Sequence, residues 1–287
     1  MIITKLQGGL GNKMFQYAIA YSYSKRVYID FSFLKKHKSS NHQFTKRDFE
    51  LSLFPRLKYY EFTEFLRNLY FSNNRKYRLL RKFFRIKINI IRQKENEFIS
   101  IEKSNNIYLD GFFQSEQYFL STRKELLNVF KFPALDKNNE AIRNKIIAHS
   151  NSVSLHIRRG DYLKEEIKKY HGILAPQYYV SAIEIISNKY SDAHFFVFSD
   201  DETFAKKQYG HFKNFTIVEG NTKDAWKDMA LMSFCKHHII ANSSFSWWGA
   251  WLSESKESIK IAPISWFNSE IANFDIHNIV PKNWIKI

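Results

Sequence analysis

SVSLHIRRGDY, residues 152–162, decides the fold. Val153–Ile157 is a short run without charge, which reads as a strand buried on both faces, and it ends abruptly in a histidine, two arginines and a glycine. Beyond it the pattern alternates. The periodicity predicts helix Pro176–Lys189, strand Phe195–Phe198, a short helix near Glu202–Gln208, strand Thr216–Val218, helix Asp224–Cys235, strand His238–Ala241, helix Phe245–Ser253 and strand Ile259–Ile261. Strands alternating with helices predict a parallel sheet wrapped by helices. In such sheets ligands bind outside the carboxyl ends of the strands. Three polar clusters fall at those ends: His156–Asp161, Ser199–Asp201 and Asn242–Ser246.

Outward from this half, the N-terminus repeats the theme once. Ile2–Leu6 reads as a strand, Gly8–Asn12 as a tight glycine turn and Lys13–Lys25 as a helix, and a second short strand is expected at Ile107–Leu109 with a helix over Ser115–Phe130. The intervening Phe31–Asn106 is charged and irregular. The polar stretch His149–Ser152 suggests a boundary there, with an N-terminal α/β domain over 1–150 and a C-terminal one over 151–287. Ile276–Ile287 reads as a tail.

Charge and cysteine content bound the function. The 287 residues carry 44 Lys+Arg against 28 Asp+Glu, a formal +16, and one cysteine, Cys235. An intramolecular disulfide framework is impossible, and a reducing, cytoplasmic compartment is the expectation. The N-terminus has no signal-peptide pattern and no run of about 18 apolar residues occurs. Ten basic residues and no acidic one lie between Phe65 and Lys94, interleaved with Leu, Phe and Ile. That pattern suits a cationic amphipathic surface facing phosphates, such as the anionic inner face of a membrane, and it also suits a solvated helix face. A nucleic-acid binder is disfavoured, because the charge is confined to this segment and no nucleic-acid motif accompanies it.

Two arginines at a strand end present planar, permanently charged forks for an anion such as a diphosphate. Alternation puts His156 and Arg158 on one face and Arg159 on the other, so Arg158 is the candidate ligand and Arg159 reads as scaffold paired with Asp161 or a neighbouring acid. In Asn242-Ser243-Ser244-Phe245-Ser246 a strand runs into a helix whose free N–H groups can receive a phosphate without a metal. Trp247, Trp248 and Trp251 read as core. Asp200 and Asp201 make a weak metal motif, with helix capping or ribose hydrogen bonding the better reading; His237 and His238 point to opposite faces and are structural.

GGLGNKMFQYA at 8–18, GFFQSEQYF at 111–119, HIRRGDY at 156–162, FSDD at 198–201 and DMALMSFCKHHIIANSSFSWWGAWL at 228–252 occur in order. Together they resemble the α-1,2-fucosyltransferases, bacterial members especially. The resemblance implies a GT-B architecture, α/β with two Rossmann-like domains and a cleft between them. It also implies GDP-β-L-fucose as donor, a galactose-terminated glycan acceptor, lipid-linked precursors included, and inversion to an α-linkage with no metal or other cofactor. It places Arg158 at the donor β-phosphate, His156 near the nucleotide, Ser243, Ser244 and Phe245 at the diphosphate, Asp228 at guanine, and Gly11 and Asn12 in an N-terminal loop facing the cleft. Asp161 and Glu166 are the nearest candidates for a catalytic base, each also readable as a solvated acid. Two departures, Lys13 in place of a common Gln and the charged Glu165–Lys169, fall where acceptor selection is expected.

Overall fold

The computed structural model describes residues 1–37, 48–102, 104–163, 169, 172–268 and 276–287. The chain divides into two compact units, one of Met1–Lys131 with Asp275–Ile279 and one of Phe132–Phe274 with Val280–Ile287. The division precedes the expected boundary near Ser150 because an unanticipated helix, Lys137–Ala148, capped by Asp136 and carrying Ile146 into a cluster with Phe196, Phe198 and Leu231, belongs to the second unit.

In the first unit, strands β1 (Ile2–Lys5), β2 (Val27–Asp30), β3 (Tyr60–Glu61), β4 (Asn89–Arg92) and β5 (Ile107–Asp110) form an all-parallel sheet in the order β3-β2-β1-β5-β4. Helix α1 (Leu10–Tyr23) follows β1. It starts earlier than expected, because the turn is compressed into Gly8, at φ +78°, and Gly9, the cap. The helix expected over Ser115–Phe130 is instead two short 3-10 turns followed by a helix over Arg123–Val129. Lys13 is fully buried: its ammonium pairs with Glu50 at 2.6 Å and donates to the Asp48 carbonyl. Lys13 thereby ties the segment carrying Asp48 and Glu50 to α1.

The second unit holds a six-stranded parallel sheet. Strands β6 (Ser152–Ile157), β7 (His194–Ser199), β8 (Phe215–Ile217), β9 (His237–Ile239), β10 (Lys260–Ala262) and β11 (Ile285–Lys286) lie in the order β11-β10-β9-β6-β7-β8. The expected alternation is therefore present, and the C-terminal tail adds the last strand, its Trp284 buried 5.7 Å from Trp247. Alternation along β6 and β7 decides the layers. Val153, Leu155, Ile157, Phe195 and Val197 face a helix over Pro176–Lys189, while Phe196 and Phe198 pack with Leu231 and Met232 of a helix over Trp226–Phe234 on the other side. Trp247, Trp248 and Trp251, on a helix over Ser244–Leu252, are buried, as expected of core.

Candidate active site

The order of the second sheet fixes where a site can form. From β6 the chain proceeds to β7 and β8 on one side, then crosses to β9 on the other, so the direction of winding reverses between β6 and β9. The carboxyl ends of those two strands bound a crevice at such a switch point. Arg158 leaves one strand and Asn242–Ser243 follows the other.

Register sets the charges. Ile157 pairs with Ser199 in the parallel β6·β7 ladder, which brings Arg158 and Arg159 abreast of Asp200 and Asp201. Arg158 Nη1 lies 2.7 Å from Asp200 Oδ2, and Arg159 Nε lies 3.3 Å from Asp201 Oδ2. The scaffold role expected of Arg159 thus falls to its pair with Asp201, and Arg158 is paired as well. Asp200 is also held by the backbone: its Oδ1 accepts from the N–H groups of Arg159 and Gly160 at 2.8 and 3.0 Å. Gly160 is needed for space, since a Cβ there would sit 2.5 Å from Asp200 Oδ2. Asp201 caps the helix Glu202–Tyr209 through Phe204 N–H, and the Arg159 guanidinium carbon lies 3.8 Å from the centre of the Phe204 ring. Tyr162, the last residue of HIRRGDY, places its ring 5.3 Å from the Arg158 guanidinium and donates to the Asn242 carbonyl at 3.2 Å. One tyrosine therefore bridges the two strand ends; nothing in local sequence spacing announced it.

The remaining donor candidates of the second unit are Ser243, Ser244, Phe245, His156 and Asp228. Ser243 caps the helix Ser244–Leu252, its hydroxyl accepting from Phe245 N–H at 3.3 Å, with Ser244 and Phe245 half-buried in the first turn and no acid among them. His156 is buried, its ring 5.8 Å from that of Phe245, and its Nδ1 finds no hydrogen-bond partner among the described residues. Burial, with the charge of Arg158 adding to it, pushes the imidazole pKa down to about 3, so His156 is neutral. Asp228 opens the helix Trp226–Phe234 and accepts from Asn221 Nδ2 at 2.7 Å. Desolvation, helped by the charge of Glu202 and opposed by the Asn221 hydrogen bond, raises its carboxyl to about 7. Asn221 is itself locked by reciprocal amide bonds with Asn139 at 2.9 and 3.0 Å. Neither asparagine was singled out from sequence, because the pair becomes adjacent only through folding. Asp161 begins a short 3-10 turn, Asp161–Leu163; Glu166 lies outside the described residues.

The first unit has its own winding reversal, between β1 and β5. Gly11 is buried in α1, and Asn12 accepts from Gln114 at 2.7 Å while Gln16 donates to the Gly111 carbonyl at 3.2 Å, joining the first turns of α1 to the GFFQ segment. His237 and His238 are buried: Nδ1 of His237 accepts from Ile259 N–H and that of His238 meets Ser154 Oγ at 2.8 Å.

Two parallel-sheet α/β units, with an arginine and a capped helix start at the switch point of the second, make the crevice between β6 and β9 the candidate site. Over residues 1–287 the chain matches the model described as Glycosyl transferase family 11, and it belongs to that family of glycosyltransferases. It is 34% identical over 310 residues to an alpha-1,2-colitosyltransferase of Escherichia coli, covering 100% of this chain and 99% of that protein. It is 34% identical over 292 residues to the E. coli O-antigen biosynthesis glycosyltransferase WbnK, covering 91% and 93%. Galactoside alpha-(1,2)-fucosyltransferase 1 of Leontopithecus chrysomelas is 25% identical over 154 residues, 50% of this chain and 42% of that protein.

Proposed function

We propose that the protein transfers L-fucose from GDP-β-L-fucose to the 2-hydroxyl of a terminal galactose on a glycan, with inversion, and that its two units are those of a GT-B enzyme with the donor on the second. The observation that carries this reading is Arg158 at the switch point beside the capped start of the helix Ser244–Leu252. As the C1–O bond to GDP lengthens, the sugar becomes oxocarbenium-like and negative charge grows on the diphosphate. Arg158 exchanges Asp200 for that charge, and the helix start at Ser243, Ser244 and Phe245 shares it through its dipole and the Ser244 N–H, so the leaving group needs no metal and activity persists in EDTA. Neutral His156 serves the nucleotide as a hydrogen-bonding ring without charge. Asp228 accepts from N1–H and the 2-amino group of guanine. Asp161 and Glu166 are the two candidates to take the acceptor's proton, and Gly11 and Asn12 are the donor-binding candidates of the first unit.

A second donor is favoured by one observation, the full-length likeness to an alpha-1,2-colitosyltransferase. Colitose is fucose without its 3-hydroxyl, so both donors would place the same diphosphate on the same residues. The test is initial rate and GDP affinity of the wild type and Arg158→Lys with GDP-fucose and GDP-colitose on galactoside acceptors. Lysine keeps the charge and loses the fork; a fall in rate of roughly 10²–10³ at unchanged melting temperature is expected. A variant that melts early yet turns over normally would make Arg158 a structural partner of Asp200 and remove the donor site from this crevice. Turnover of neither donor would remove the reaction.

A further inference from the structure

We infer that the Arg75–Phe83 helix and the turn after it form a docking surface for an anionic lipid bilayer, an inference independent of the donor and acceptor. The sequence of 65–94 leaves open whether its charges form a surface or a solvated face; the structure breaks the segment into two helices, Glu64–Phe71 and Arg75–Phe83, a turn with Arg85 at φ +50°, and the edge strand β4. Three of the ten cations have partners within the first unit. Arg67 pairs with Asp30 at 2.5 Å, Arg92 lies 3.9 Å from Asp110, and Arg81 donates to the carbonyls of Leu69 and Ser72 at 2.8 and 2.6 Å. Arg81 thereby fastens the second helix to the end of the first, and Phe65 meets Tyr77 edge-on at 6.4 Å.

The outward face is what remains. Leu79 and Phe83, one turn apart on the same side of the helix, are 58% and 80% exposed, and Phe84, edge-on to Phe83 at 4.9 Å, is 63% exposed. At 100° per residue, Arg75, Lys76, Arg78 and Lys82 flank this pair, while Tyr77 and Arg81 turn inward. None of Arg75, Lys76, Arg78, Lys82, Arg85 and Lys87 has a carboxylate partner among the described residues. Apolar side chains on a convex helix end, ringed by unpaired cations, match the chemistry of an anionic membrane: the charges meet the headgroups and Leu79, Phe83 and Phe84 enter beneath them. A nucleic acid would reward the cations but offers Leu79 nothing, and the two phenyl rings stand edge-on to each other rather than forming a flat stacking platform.

The experiment is cosedimentation of the full chain with phosphatidylglycerol/phosphatidylcholine vesicles and with phosphatidylcholine alone. Two variants accompany the wild type: Arg75→Gln/Lys76→Gln/Arg78→Gln/Lys82→Gln, and Leu79→Ser/Phe83→Ser. Because the altered side chains are exposed, GDP affinity and melting temperature of both variants should equal the wild type. The wild type should bind anionic vesicles at least tenfold better than neutral ones. The quadruple variant should lose at least tenfold of that, about fivefold per cation being the general scale. The double variant should bind only at low salt, since attraction without insertion is screened. Equal binding to both vesicles, binding to neither, unaltered binding by the quadruple variant, or duplex RNA held through the same four cations as tightly as the anionic vesicles would overturn the inference.

Discussion

Asp228 carries the sharpest single-residue test, because its two states have different hydrogen-bonding capacity. Ionised, the carboxylate only accepts, which suits two guanine N–H donors; protonated, it donates with one oxygen. With its pKa raised to about 7, GDP affinity should rise as pH increases from 6 to 8, and GDP should release the proton on binding. Asp228→Asn should flatten that profile and weaken GDP binding roughly tenfold or more, the scale of a lost hydrogen bond to a charged group. The same change should raise the melting temperature at pH 8, since an amide removes a charge that burial penalises, and Asn221 still finds an oxygen to donate to. Isothermal titration across pH, beside thermal melts, separates this from a purely structural acid, for which GDP affinity would be untouched. The value of this residue was half legible: an acid at a helix start is visible in sequence, but the burial that raises its pKa, the Glu202 charge that adds to it and the Asn221 hydrogen bond that opposes it are all supplied by folding.

At the scale of elements, the junction between β6 and β7 is set by one missing methyl group. Gly160 does not need a left-handed backbone; its role is to leave room for Asp200, whose Oδ2 would lie 2.5 Å from a new Cβ. Gly160→Ala should displace that carboxylate, loosening its bonds to two backbone amides and to Arg158 together. Overpacking of this kind costs about 1–3 kcal/mol. A lower melting temperature with weakened GDP binding is expected. Gly160→Ala combined with Asp200→Ser should recover stability, because the space returns, without recovering donor turnover, because the arginine has lost its positioning partner. A double variant no more stable than the single one would show that the strain lies elsewhere. The strand that leads into this junction was readable from Val153–Ile157 alone, whereas the pairing of Arg158 with Asp200 depends on the register Ile157 to Ser199 and could not be read from either strand separately.

For the whole molecule, buried histidines dominate the response to acid. His156 is pushed down to about 3, His237 to about 4 and His238 well below 6.5, in each case first by desolvation. Below pH 6.5 the unfolded chain takes up these three protons while the native chain refuses them, so stability falls as pH falls. Asp228 acts in the opposite sense, holding a native proton between about pH 4 and 7 that the unfolded carboxyl releases, but it is one group against three. His194, likewise lowered to about 4, adds to the three, so the net slope near pH 5 is destabilising towards acid. Denaturant midpoints should therefore drop from pH 7 to pH 5, and His238→Gln should reduce the drop by one proton's share if the variant folds. Midpoints that hold steady or rise on acidification would mean that these rings are charged in the native state.

The sequence by itself determined the alternation of β6 through β10 with their helices, the polar clusters at the strand ends, the tryptophan core and the family, because period, apolar runs and ordered motifs are local properties of the chain. Strands of two to four residues in Phe31–Asn106 escaped it, since Tyr60–Glu61 and Asn89–Arg92 have exposed, charged or polar faces and become strands only by pairing with β2 and β5. The tail likewise became β11 only because β10 offered an open edge. Tertiary structure alone decided that Lys13 is a buried tie to Glu50, that Tyr162 joins two strand ends, and that the helix Lys137–Ala148 belongs with the second sheet. Each of these rests on contacts between residues far apart in sequence, and the burial that sets their energies does not exist until the chain has folded.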